Sequence, residues 1–371
     1  MMLRRLVHIC VSVVMLAGCA DDSFRGTSDG LYGDDGQSIP VVVALGDPGG
    51  GIAKGAGAID SIEEWSGGNM YVYAFCKSAQ TSYAVTSRKD PLNCLVDASK
   101  DVYGSLAGKK ARLDARNAYA EWETEDQDLV YPGGEHSRRA FDFFAYYVDD
   151  AAVSGVKRTD DAVVVDLEID GSQDVMSSKA EITERQLAPY PQRDQALIVE
   201  NRYSFYTAQR NMIPTFVFDH HLVRLEFEIH AGLVTDEHKS VLIHGFEIGS
   251  KSKAHFTVAA KDEQKMGLVF DEEKKYMDLT EEGGKAFYDG KYTVSLRSST
   301  DVAGEVFKMG DCLLVAPDGE YGAYMTMTEK RSAGSVVCCR AYPVFYPSFG
   351  SADRRKDKCA YVGGAYSQPR L

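Results

Sequence analysis

The sequence contains no apolar run long enough to cross a bilayer. Its hydrophobic stretch from Leu6 to Leu16 falls short of the ~20 residues that a permanent transmembrane helix requires. Positive charge is also scarce: 41 Lys and Arg face 55 Asp and Glu, a net charge of −14 over 371 residues. A surface of that sign opposes nucleic acid and anionic head groups, so no nucleic-acid partner is expected. Cysteine is too sparse for a small stapled domain. Eight are present, none in a C-x-x-C pair, and adjacent Cys338 and Cys339 would point to opposite faces of a strand instead of toward one metal ion. H-E-x-x-H does not occur, and the one G-x-S-x-G match, Gly26 to Gly30, lies in a polar stretch with no apolar strand run ahead of it, so the simplest hydrolase readings find no support. The glycine cluster from Gly49 to Gly57 is no phosphate cradle either, because Lys54 precedes Gly55 and no helix opens after it. No catalytic residue, cofactor or metal site is expected, and the chain does not read as an enzyme.

What is present starts at the N-terminus. Arg4 and Arg5 precede the apolar run, and small residues close it, which marks residues 1–18 as an expected secretory signal. Leu16-Ala17-Gly18-Cys19 resembles a bacterial lipobox. That resemblance implies that Cys19 is acylated and becomes the mature N-terminus, placing the protein on the outer membrane and cell surface. Soluble secretion is the alternative, since chance can also put a cysteine after Ala-Gly. Loss of residues 1–18 leaves 39 basic residues against 55 acidic ones, so the mature net charge becomes −16. Membrane attachment then depends on the lipid at Cys19. Cys76, Cys94, Cys312, Cys338, Cys339 and Cys359 remain, and they read as buried or opportunistically paired thiols.

Residues 19–38 are rich in Asp, Ser and Gly and cannot build a core, so they read as a flexible spacer. The first element is the β-branched run Ile39 to Leu45, stopped by Gly46-Asp47-Pro48. Runs of four to eight apolar or alternating residues then recur between polar turns, among them Met70 to Phe75, Phe141 to Val148, Ala162 to Ile169, Val241 to Ile248, His255 to Ala259, Cys312 to Ala316 and Tyr321 to Met327. Many short strands with few helical windows predict an all-β protein of β-sandwiches. Two tandem domains are expected, over residues 39–208 and 209–371, with short helices near Asp97 to Leu106 and Glu181 to Leu187. Between Phe216 and Ile229 the buried parity switches face, which calls for a bulge near Leu222 to Arg224 or for two strands meeting at a bend.

Four motifs in order resemble the fimbrillin-like surface lipoproteins of Bacteroidales, a superfamily of pilus stalk, anchor and tip subunits. They are Lys54-Gly55 ahead of Trp65 and the Tyr71 to Phe75 run; Phe141 to Tyr147; Asp174 to Ala180 followed by Phe218 to Leu222 and Leu225 to Phe227; and Gly310 to Pro317. The resemblance implies two sandwiches of transthyretin-like, Greek-key topology and assembly by donor-strand exchange. In that process a protease trims the lipidated N-terminal segment and a strand from another pilus subunit fills the vacated groove. Mapped onto this chain, the removable strand is Ile39 to Leu45 and the candidate cut follows Lys54, before Gly55. Many relatives use an arginine-specific protease, and here the residue is lysine. The tail 351–371 departs from the family pattern, with no clear alternation, which suits either a tip or accessory subunit that donates no strand or a chain whose final strands have been replaced, as by a reading-frame change.

Two other features invite a functional reading. Asp219, His220, His221 and His230 look like metal ligands, but strand neighbours face opposite ways, and His220 matches a family position packed among apolar residues. Tyr71, Tyr73, Phe143, Tyr146 and Tyr147 could floor a glycan site, although alternation favours core packing. The alternative function is therefore a non-polymerising surface lipoprotein that binds glycans or host proteins.

Overall fold

The computed structural model describes residues 38–46, 69–97, 108–114, 119–122, 129–148, 152–230, 238–281, 285–286, 292–295, 306–319, 321–331, 336–345 and 358–362. Among them the fold is all-β, with three short α-helices. The largest sheet has nine strands: β1 (Val43–Leu45), β2 (Asn69–Cys76), β3 (Cys94–Val96), β4 (Lys109–Asp114), β5 (Tyr119–Trp122), β6 (Phe141–Val148), β9 (Val175–Lys179), β10 (Thr215–Phe216) and β11 (Asp219–His220). Their order is β10-β1-β5-β4-β2-β6-β9-β11, with β3 added beside β2.

This sheet is buried on both faces because its central strands are apolar at both parities. In β6, Phe141, Phe143 and Ala145 enter one core while Phe144, Tyr146 and Val148 enter the other. Over the second face lies a four-stranded sheet, β15-β14-β8-β7, made of β7 (Val153–Arg158), β8 (Ala162–Glu168), β14 (Lys253–Ala260) and β15 (Gly267–Phe270). Tyr146 meets Phe256 edge to face across the gap, with ring centroids 6.0 Å apart. The same core continues between two further sheets. One is β20-β12-β23, from β12 (Val223–His230), β20 (Val306–Val315) and β23 (Lys358–Val362). The other is built on β13 (His238–Lys251) with β16 (Lys274–Asp278), β19 (Tyr292–Ser295), β21 (Gly322–Arg331) and β22 (Val336–Phe345). Phe227 of β12 packs on Phe246 of β13 at 4.8 Å. A small pair, β17 (Thr280–Glu281) and β18 (Lys285–Ala286), completes the set.

Several sequence expectations are refined here. The run from Pro214 to Ile229 divides into β10, β11 and β12, so the face switch is two strands meeting at a bend. Phe216 and Phe218 feed the first core, whereas Leu222, Leu225 and Phe227 feed the second. A bulge does occur, but between Leu225 and Phe227, opposite Gly310 of β20. Gly310 has φ of 61°, and a Cβ there would lie 2.7 Å from Leu279 Cγ, so a side chain would meet both strain and a clash. The division expected at 208/209 does not coincide with a sheet boundary, because β10, β11 and β14 pair with strands that precede it. The tail read as lacking alternation holds β23, parallel to β12. Strand addition requires only main-chain N–H and C=O groups, so the missing alternation does not prevent pairing.

The helices α1 (Glu184–Leu187), α2 (Gln192–Glu200) and α3 (Phe205–Ala208) cluster in one connection. Two of them start with reciprocal capping boxes, Thr183 with Gln186 and Ser204 with Thr207, so their N-termini are fixed by local sequence. The helix expected from Asp97 to Leu106 falls almost wholly outside the described residues. Asp97 itself is buried, and its carboxylate pairs with Arg158 Nη1 at 3.0 Å. Arg158 also donates to the carbonyls of Tyr83 and Val85 and lies over the Tyr73 and Phe75 rings. One guanidinium thus staples residues 83–97 to the sheet. Cys76, Cys94 and Cys312 are buried, and burial pushes the Cys94 and Cys312 thiols up, away from the reactive thiolate form.

Candidate functional site

The segment from Ser38 to Gly46 occupies an interior slot in the nine-stranded sheet. On one side β1 runs antiparallel to β5, pairing Val43 with Ala120 and Ala44 with Tyr119. On the other it runs parallel to β10, where Ala44 N donates to Pro214 O at 2.9 Å and Gly46 N to Phe216 O at 2.7 Å. Upstream, Val41 N donates to Leu129 O at 2.7 Å, and Tyr131 N donates to Ile39 O at 3.0 Å. The indole Nε1 of Trp122 donates to Val41 O at 2.9 Å. Main-chain bonds therefore hold the segment on both edges, without regard to side-chain identity.

Side chains supply the register. Val41, Val43 and Leu45, at alternate positions, enter the first core with Phe141, Phe143, Phe216 and Phe218. Each such aliphatic burial contributes about 1.5–3 kcal/mol. The end of the segment is set by a close approach: a Cβ on Gly46 would come within 2.8 Å of Val217 Cγ2. The sequence flagged Gly46 only as a strand stop, and the glycine-rich turn signal could not reveal that approach.

The same core contains two phenol groups. The Tyr131 and Tyr203 hydroxyls are buried with no hydrogen-bond partner among the described residues. Burial pushes both phenols well up, and for Tyr131 the neighbouring Tyr203 adds to the shift. An unpaired buried hydroxyl costs about 1–3 kcal/mol, so the resident apolar strand leaves this core incompletely satisfied.

Cys19, Lys54 and Gly55 lie outside the described residues. The structure separates the histidines: His220 Nδ1 sits 3.0 Å from buried Asp174, while His221 Nε2 meets Ser177 Oγ at 2.7 Å and packs on Phe256. The resemblance implied apolar packing for His220, but its side chain is exposed, because β11 lies at the edge of its sheet. No His/Cys/Asp/Glu cluster suited to a metal ion occurs among the described residues. Of the aromatic cluster singled out in the sequence, Tyr73, Phe143 and Tyr146 are buried in the cores, while Tyr71 and Tyr147 are half-buried and pack against them.

Comparison with known proteins gives fold neighbours only. No protein-family model and no curated protein matches the chain. Among solved structures, it is similar to a Bacteroides ovatus protein provisionally assigned to cell adhesion, at 10% identity and a TM-score of 0.39, covering 84% of this chain and 87% of that one. A Bacteroides eggerthii protein with the same provisional assignment aligns at 9% identity and a TM-score of 0.37, covering 90% and 95%. The fimbrial anchor protein Mfa2 of Porphyromonas gingivalis aligns at 9% identity and a TM-score of 0.29, covering 82% and 81%.

Proposed function

We propose that this chain is a non-catalytic structural subunit of a cell-surface pilus, tethered to the outer membrane by lipid on Cys19, and that Ser38 to Gly46 is its exchangeable strand. The observation that supports this reading is the slot: a short interior strand with main-chain bonds on both edges and three alternating side chains in one core. Withdrawal of the segment opens two sheet edges and an apolar groove, which a strand from another subunit can refill. A replacement that brings a polar group within reach of the Tyr131 or Tyr203 hydroxyl gains over the resident strand. Cleavage after Lys54 would release the segment together with the lipid. An intact Lys54 would leave Cys19 as a permanent anchor, as suits an anchor or accessory subunit. The test is to cleave the protein after Lys54, mix it with purified pilins and look for SDS-resistant assembly. Strand exchange is rejected if the cut chain gains no partner while remaining folded.

A further inference from the structure

A cleft of about 600 Å³ lies where the end of β2, the turn Gly134–His136 that leads into β6 and the end of α2 come together. Main-chain bonds fix its walls: Lys77 N donates to Ala140 O at 2.9 Å, Phe141 N to Arg202 O at 3.1 Å and Tyr206 N to Ser137 O at 2.8 Å. Lys77, Arg138 and Arg139 line the cleft together with Glu135 and Glu200. Arg139 is anchored from behind, because its Nη1 donates to Leu92 O at 3.2 Å. Arg138 lies over the Tyr206 ring, its Cζ 5.3 Å from the centroid.

None of these three cations forms an ion pair among the described residues, although two carboxylates share the cleft with them; Glu135 meets His136 Nε2 instead, at 3.4 Å. Elsewhere on this acidic surface the pattern is the reverse. Lys157, Lys251, Lys253, Lys261, Lys274 and Lys275 each hold a carboxylate. Here charges of both signs stand apart around an open volume, which leaves their donors and acceptors to a ligand.

We propose that this cleft binds a small hydroxylated monocarboxylate, a sugar acid or similar hydroxy acid, whose carboxylate is taken by Lys77, Arg138 and Arg139 and whose hydroxyls donate to Glu135 and Glu200. A guanidinium presents paired N–H donors that match a carboxylate, and such charge-assisted bonds are the strong ones. With His136 neutral, three cations and two carboxylates give the lining one net positive charge. A single negative charge matches it, whereas a dianionic phosphate or an acidic peptide presses further charge on Glu135 and Glu200. A bare anion would leave both carboxylates without donors, and the ligand's hydroxyls supply them. Neither Ser38 to Gly46 nor its groove lines the cleft, so this inference and strand exchange can fail independently.

The test titrates the purified full chain with glucuronate, glucose, acetate and inorganic phosphate, following the amide NMR signals of Lys77, Ser78 and Asn201. Expected is saturable movement with glucuronate, about tenfold tighter than with acetate or phosphate, and none with glucose. Arg138→Gln and Lys77→Gln are each expected to weaken glucuronate about tenfold at an unchanged melting temperature, since neither side chain is in an ion pair. Glu200→Gln removes one negative charge and is expected to tighten phosphate about threefold, which a merely structural role would not do. A glucuronate-ended disaccharide distinguishes the source: tighter binding than the free acid points to the end of a glycan, equal binding to the acid itself, and both support the cleft. The proposal is overturned if glucuronate gives no saturable shift, if glucose binds as well or phosphate better, if both cation variants bind as the parent does, or if Glu200→Gln leaves phosphate unchanged.

Discussion

Strands β6 and β1 belong to the same sheet but are held in different ways. β6 is eight residues long, pairs with β2 and β9, and sends alternate side chains into two cores. β1 is three residues long and serves one core, which it shares with two phenols that lack hydrogen-bond partners among the described residues. Removing β6 disrupts both layers, whereas removing β1 opens a groove in one. The difference teaches that a strand can be interior in its hydrogen bonding and still be peripheral in its packing, which is the combination an exchangeable strand needs.

The sharpest way to break this comparison is to truncate one buried side chain from each strand. Phe143→Ala is expected to cost about 3–5 kcal/mol, read from the denaturant midpoint, and Val43→Ala about 2 kcal/mol. Equal losses would mean that β1 is as central as β6. Next, Arg158→Ala leaves Asp97 buried without its cation and is expected to cost about 3–5 kcal/mol on the β2 side of the sheet. Amide exchange at Val41, Ala44 and Gly46 should stay unchanged relative to global unfolding if the two regions are separate. Gly46→Val forces Val217 aside and should cost about 1–3 kcal/mol. It is expected to speed exchange at Val41 and Ala44 while β6 amides remain protected; acceleration in β6 would show one cooperative unit.

The smallest effect lies outside both cores. Lys157 bonds the Asp166 carboxylate at 2.7 Å and, as the largest cause, holds it below its ordinary range, with His255 assisting. A carboxyl with a depressed folded pKa contributes stability that is present above its unfolded pKa of ~4 and lost as pH falls through the lower folded value. Asp166→Asn should therefore flatten the acid limb of stability below about pH 4. Because Lys157 is 67% exposed, screening limits the effect to under about 1 kcal/mol. A larger change would mean that β8 couples to the core through its outer face.

Much of the sheet was legible. Phe141 to Val148 forms a strand with the expected bounds because both its faces are apolar, and the Thr183 and Ser204 boxes show why short helices start where they do. Other features were not. The pairing of β8 with β14 joins residues about ninety positions apart, and nothing local in either strand encodes that choice. Aromatic density pointed to Tyr73, Phe143 and Tyr146, which are core residues, while exposed Tyr276 and Tyr324 sit singly in ordinary alternating runs.

By itself, the sequence determined the all-β class, the export and lipidation expectation at Cys19, and the alternation that makes Val41, Val43 and Leu45 one buried set, because these follow from local composition and the two-residue period of a strand. Only the tertiary structure decided that this segment lies between β5 and β10, that the Tyr131 and Tyr203 hydroxyls of its core lack partners among the described residues, and that Tyr276 covers Gly249 on another sheet. Those facts depend on which distant strands become neighbours, and main-chain hydrogen bonding is the same for every candidate partner.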